Sequence, residues 1–191
     1  MRILSVQVGR PRSVRHDGRE IRTAIFKEPV LFPVLARRLG LAGDAQADRR
    51  VHGGPDKAVY AYDAAGYEHF RKSLGRDLPY GHLGENLTVE GMPESEVRIG
   101  DVYRVGAAES ASDPPASGAL LQVASPRSPC FKLAMRMEMP QFPRMFLESG
   151  RTGFYLRVLE EGPLAAGNAL TLVSRDSAAP TVLEVARAWR R

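Results

Sequence analysis

Apolar residues in this chain recur at every second position, in runs too short for a helix, and the runs are punctuated by glycine-rich turns. Alternation of this kind occupies residues 3–8 and 22–26, runs more weakly through 30–35, and returns at 86–89, 102–105, 120–124, 154–159 and 170–173. A period of two sends successive side chains to opposite faces of a strand, so each run reads as a strand with one buried face. Arg98-Ile99-Gly100-Asp101-Val102 and Ala166-Gly167-Asn168-Ala169 are turns that reverse the chain between such runs. Many short strands divided in this way form a barrel or sandwich, and a mainly β fold is expected.

Helical patterning is limited. Asp63 caps a helix that runs to Leu74 and ends at Gly75. Residues 135–148 are partly helical, interrupted by Pro140 and Pro143. Residues 180–191 form a helix that begins at Pro180, with Leu183, Val185, Ala186 and Trp189 on its apolar side. Residues 109–118 (ESASDPPASG) are too polar and proline-rich to pack, and read as an extended hairpin connection. At 191 residues the chain suits one domain, and the expected division is a β-barrel over residues 1–175 with a helical tail over 176–191.

With 43% hydrophobic and 26% charged residues, the chain has the composition of a globular protein with no membrane partner, because its apolar runs are far shorter than a bilayer span. The first eight residues carry one charge and alternate like a strand instead of a leader, which makes the cytoplasm the expected compartment. The net charge of +5 raises the question of nucleic acid. The basic residues are scattered, however, and no basic-aromatic stripe accompanies them, so a nucleic-acid partner is not expected and a small anionic ligand explains the charge equally well.

The single cysteine, Cys130, lies in Ser125-Pro126-Arg127-Ser128-Pro129-Cys130-Phe131-Lys132. One thiol excludes an internal disulfide and cannot alone build a zinc or iron–sulfur site. It is either an inert buried side chain or a reactive thiolate, a form that the cationic neighbours Arg127 and Lys132 favour. Pro126 and Pro129 hold the segment as a stiff loop.

Three further segments are dense in special residues. Gly43-Asp44-Ala45-Gln46-Ala47-Asp48 leads into Val51-His52-Gly53-Gly54-Pro55-Asp56-Lys57, where paired glycines expose backbone N–H groups to an anion and Lys57 adds charge. His52 could take a proton, a metal or nothing there, and a self-satisfied turn is the competing account. In Gly84-Glu85-Asn86-Leu87, Asn86 offers donors and an acceptor to a polar ligand, against a purely structural turn. In Gly150-Arg151-Thr152-Gly153, Arg151 presents a planar fork to phosphate or carboxylate, or is a plain surface arginine.

Taken together, GDAQAD (43–48), HGGPDKAVYAY (52–62), GENLTVEG (84–91), IGDVYRVG (99–106), LQVASPRSPCFKL (121–133) and GRTGFYLRVLEEG (150–162) resemble the MOSC (molybdenum cofactor sulfurase C-terminal) domain family, in its YiiM-like branch. The resemblance implies a β-barrel with peripheral helices and a short C-terminal helix, binding the molybdenum cofactor (molybdopterin). Cys130 would be the molybdenum ligand and Asn86 would lie beside the cofactor as a second catalytic group. His52, Gly53, Gly54, Lys57, Arg127, Lys132 and Arg151 would be further cofactor contacts.

The activity so implied is reduction of a small-molecule N-hydroxylated substrate, a hydroxylamino purine or amidoxime, by N–O bond cleavage. Because one cysteine cannot hold a cluster, the electrons would come from a separate flavin or iron–sulfur donor protein. A homodimer is compatible with this reading. The alternative from a different class is a molybdopterin or persulfide-sulfur carrier without turnover of its own. The loop at 109–118 and Phe131, which stands where a tryptophan is common, depart from the family pattern.

Overall fold

The computed structural model describes residues 1–48, 53–108 and 118–189. The first strands are β1 (Arg2–Val8), β2 (Arg12–His16), β3 (Arg19–Thr23), β4 (Glu28–Val30), β5 (Val34–Arg37) and β6 (Gly40–Leu41). They are followed by β7 (Val59–Asp63), β8 (Leu87–Glu90), β9 (Val102–Ala108), β10 (Leu120–Pro126), β11 (Phe154–Glu160), β12 (Gly162–Leu164) and β13 (Asn168–Ser174). Helices α1 (Ala64–Leu74), α2 (Phe131–Met137), α3 (Phe142–Ser149) and α4 (Val182–Ala188) interleave with them.

Seven strands close into a barrel in the order β13-β9-β10-β11-β7-β8-β1, and Arg2 of β1 pairs with Ala169 of β13 to seal the ring. Closure leaves the ring without a free edge. Neighbours run antiparallel except β7 and β8, whose parallel pairing is bridged by the α1 crossover. β4 pairs with β1 beside the ring, while β2–β3 and β12-β5-β6 form separate small sheets.

Two apolar cores result. One fills the barrel and includes Ile3, Val59, Ala61, Leu87, Leu121 and Phe154. The other lies outside it, where Tyr60, Tyr62, Tyr67, Phe70, Phe142 and Phe146 pack between barrel and helices. Strand β7 separates the two: Val59 and Ala61 face inward, Tyr60 and Tyr62 outward, and every residue of the strand is buried. A strand covered on both faces shows no polar alternation, which is why the sequence pattern passes over it.

Other expectations need adjustment. The alternation at 22–26 belongs to β3, which ends at Thr23, where the Thr23 hydroxyl accepts the Ile25 N–H at 3.2 Å and the chain leaves the sheet. The weak run at 30–35 divides into β4 and β5 around Pro33. Asp63 and Gly75 bound α1 as expected. Pro140 separates α2 from α3, but Pro143 sits in the first turn of α3, where its missing N–H has no helical partner to lose. Thr181, not Pro180, starts the last helix, through a capping box with Glu184. Val182 and Ala186 are its buried residues, and Trp189 is 48% exposed. No helix among the described residues is long and apolar enough to cross a membrane.

Candidate functional site

One end of the barrel supplies a continuous row of rim residues. Ser125 of β10 pairs with Tyr155 of β11, and Tyr155 with Tyr60 of β7. The ladder then continues beyond the strand ends: the Asn86 N–H donates to the Tyr60 carbonyl, and the Gln7 N–H to the Asn86 carbonyl, both at 2.8 Å. Against this row opens a cleft of about 630 Å³ of empty space, mouth included. Lys27, Lys57, Arg127 and Lys132 line it, together with Cys130, Asp44, Asn86, Tyr60 and Tyr155.

The inner wall is a buried ion pair. The Lys27 ammonium donates to Asp44, and the two side chains are 7% and 2% exposed. Burial pushes the Lys27 pKa down, with the Asp44 carboxylate partly opposing it. Asp44 Oδ1 also accepts the Gly9 N–H at 2.7 Å, and Oδ2 accepts Asn86 Nδ2 at 3.0 Å. A carboxylate committed to three donors pins the loop that carries it onto the barrel rim.

Asn86 is held on every side. Nδ2 donates to Asp44 and, at 3.2 Å, to the Gln7 carbonyl, while Oδ1 accepts the Tyr60 N–H at 3.2 Å. Both amide protons are therefore engaged by the protein itself. Gly84, two residues earlier, has φ +86, and a Cβ there would stand 2.8 Å from Ile25, so the turn that presents Asn86 requires glycine.

Arg127 follows β10, and its N–H donates to the Gly153 carbonyl at 3.2 Å. Its buried guanidinium lies 4.8 Å from the Tyr60 ring centre and 5.5 Å from that of Phe146, and Nη1 donates to the Tyr60 hydroxyl at 3.4 Å. Burial opposes its charge, but Tyr60, Tyr155 and Cys130 outweigh that and hold its pKa above the ordinary guanidinium value. Burial likewise raises the Tyr60 and Tyr155 phenols, which stay neutral. Cys130 is half-buried at the start of α2, and its carbonyl accepts the Leu133 N–H at 2.9 Å. Lys57 reaches the cleft from a 3₁₀ turn over Pro55–Lys57, with Nζ 5.9 Å from the Tyr155 ring centre.

Of the residues singled out in the sequence, the cleft brings together Cys130, Asn86, Lys57, Arg127 and Lys132. Gly53 and Gly54 do not line it; the Gly54 carbonyl accepts the Lys57 N–H at 3.1 Å and so shapes the turn that presents the lysine. Arg151 also stands outside, where its charge bears on Glu94 and His69. His52 lies outside the described residues, as does the loop at 109–118 apart from Gly118. Lys27, Tyr60 and Tyr155 were not singled out. Tyr60 was hidden in a strand without alternation, and nothing local distinguishes Lys27, whose partner is 17 positions away.

Known proteins place this architecture. The profile of the MOSC domain matches residues 48–171. The protein YflK of Bacillus subtilis is 42% identical over 173 residues, covering 91% of this chain and 73% of that protein. A Gibberella moniliformis protein named Reductase is 33% identical over 191 residues, covering 98% of this chain but only 32% of that protein. The crystal structure of YiiM from Geobacillus stearothermophilus superposes with a TM-score of 0.77 at 32% identity, covering 98% of this chain and 83% of that one. The chain belongs to the MOSC domain family.

Proposed function

We propose that the cleft binds the molybdenum cofactor through the Cys130 thiolate and reduces N-hydroxylated compounds. The observation that carries the reading is the convergence of the only thiol with Lys27, Lys57, Arg127 and Lys132 in one cleft. Among the described residues no three His, Cys, Asp or Glu side chains gather to cage a bare ion. A single soft donor ringed by cations instead fits an anionic group that brings most of its metal's ligands with it. Family membership and a relative named Reductase support an oxidoreductase role.

The cofactor, when bound, supplies two-electron redox chemistry at molybdenum. The overall change, R–NHOH + 2 e⁻ + 2 H⁺ → R–NH₂ + H₂O, leaves the protein to position groups and deliver protons. Cys130 offers sulfur as a ligand, and the Arg127 charge bears directly on it. Arg127, Lys57 and Lys132 offer cations to phosphate oxygens. Lys27 holds a proton at Nζ inside the cleft, and its lowered pKa makes that proton easier to give up. Asn86 keeps the Asp44 loop in register with the rim and so fixes where Lys27 stands. The electrons come from a separate flavin or iron–sulfur protein.

Molybdenum and pterin content of protein made in a cofactor-competent host tests the reading, with Cys130→Ser alongside. Near-stoichiometric metal in the wild type, none in the variant, and unchanged far-UV circular dichroism are expected. Turnover of a hydroxylamino purine with an artificial electron donor should follow the metal. Equal metal content in the two proteins refutes thiolate ligation, and bound cofactor without turnover favours the carrier function.

A further inference from the structure

Beside the cleft, two arginines share one phenyl ring. The Arg12 guanidinium carbon lies 3.9 Å from the Phe26 ring centre and that of Arg136 lies 4.7 Å from it. Neither forms an ion pair with a carboxylate among the described residues. Two like charges gathered on one ring repel each other unless an anion joins them. Burial, and then the charge of Arg12, pull the Arg136 pKa below its ordinary value, with Tyr67, Glu138 and Glu85 opposing them only in part.

Neither arginine lines the cleft itself, but both stand next to residues that do. Arg12 pairs with Thr23 across the β2–β3 ribbon, and Thr23 lines the cleft. Paired residues in an antiparallel ribbon project from the same face, so Arg12 lies over the cleft side. Arg136 stands four residues after the cleft-lining Lys132 on α2, and residues four apart share a helix face. Phe26 itself separates Ile25 from Lys27, both of them cleft residues. From Phe131, the residue after Cys130, to Arg136 the helix rises about 7.5 Å, on the scale of the distance from the base to the phosphate of a nucleotide.

We propose that Arg12 and Arg136 form a phosphate-binding subsite at the cleft edge, so that the substrate is a phosphorylated nucleoside whose base reaches toward Cys130. The identity of the base end rests on the reductase reading; the anion subsite does not. Two guanidinium forks stacked on a ring present several N–H donors to phosphate oxygens, a geometry that lysine would not reproduce.

Equilibrium binding by calorimetry on the purified full-length protein tests this without any need for turnover. The probes are adenosine 5′-monophosphate, adenosine and inorganic pyrophosphate, against wild type, Arg136→Ala and Arg12→Ala/Arg136→Ala. The monophosphate should bind the wild type at least tenfold more tightly than adenosine. Each arginine removed should erode that advantage, the double variant should abolish it, and adenosine binding should not change. Pyrophosphate should compete with the monophosphate in wild type only. Equal binding of monophosphate and adenosine, unchanged monophosphate binding in the double variant, or no binding of any probe each overturns the proposal. Pterin content that falls in the double variant while monophosphate and adenosine bind alike assigns the arginines to the cofactor's own phosphate and also overturns it. Loss of molybdenum in Cys130→Ser bears on the reductase reading alone.

Discussion

Asn86→Asp should destabilise the protein more than Asn86→Ala, although aspartate is the closer match in shape. Alanine removes all three side-chain hydrogen bonds and strands the buried Tyr60 N–H, the Gln7 carbonyl and one oxygen of Asp44. A stranded buried group costs about 1–3 kcal/mol, and partial relaxation brings the loss to about 3–5 kcal/mol. Aspartate keeps an acceptor for the Tyr60 N–H. It also places a carboxylate oxygen where Asn86 Nδ2 now sits, 3.0 Å from Asp44 Oδ2 and 3.2 Å from the Gln7 carbonyl. Two like charges about 4 Å apart repel by about 4 kcal/mol at an effective dielectric near 20, added to the lost hydrogen bonds. Urea unfolding at pH 7.5, followed by far-UV circular dichroism because the only tryptophan is exposed at the chain's end, should rank wild type above Ala above Asp. Acidification should rescue Asp but not Ala, as one carboxyl takes up a proton and becomes a donor. An Asn86→Asp variant within 1 kcal/mol of wild type at pH 7.5 would refute this account of Asn86 as the clamp between rim and Asp44 loop.

Two further predictions concern the wall behind the cleft. Gly153 has φ +63, and a Cβ there would stand 2.5 Å from the Ala61 carbonyl and under 3 Å from the rings of Tyr60 and Tyr62. Its N–H donates to Glu94 and its carbonyl accepts from Arg127, so it has no room to retreat, and Gly153→Ala should lower stability by about 3–5 kcal/mol in chemical denaturation. Burial pushes the Glu94 carboxyl from an ordinary 4.5 up to about 7. The folded state then binds a proton that the unfolded chain has released, so this contribution is full below pH 4.5 and is lost as pH rises through 7. The displacement is worth about 3 kcal/mol, and Glu94→Gln should gain up to that amount relative to wild type between pH 4.5 and 8; parallel stability–pH curves for the two proteins would contradict it.

The sequence is most legible where structure is local. The strands with one wet face, the caps Asp63 and Gly75, and the turns ahead of Asn86 and Cys130 all follow from neighbours within a few positions. Strand β7 is invisible to periodicity because both its faces are dry. Trp189, by contrast, sits at an apolar helical spacing but caps the end of α4 about half exposed, while Val182 and Ala186 are the residues the helix buries. The same division holds in the cleft. Cys130, Arg127 and Lys132 are close in sequence and could be singled out together. Lys27 with Asp44, and Arg12 with Arg136, become pairs only when distant segments meet. Arg151 shows the converse: a conspicuous motif whose arginine lies outside the cleft, where its charge bears on Glu94 and His69.

Barrel closure also sets an order of events. The ring seals through Arg2 and Ala169, and the cleft row needs Gln7 near one end of the chain and Tyr155 near the other. At ribosomal speeds of about 5–20 residues per second, roughly 7–30 seconds separate the emergence of those two residues. During that interval Asn86 lacks a complete rim, the Asp44 loop has nothing to clamp onto, and Cys130 has no cleft to face. Pairings between such distant segments form late in folding. The rim row and the cleft it walls are therefore complete only once residues on both sides of a separation of well over a hundred positions, Arg2 and Ala169, have met.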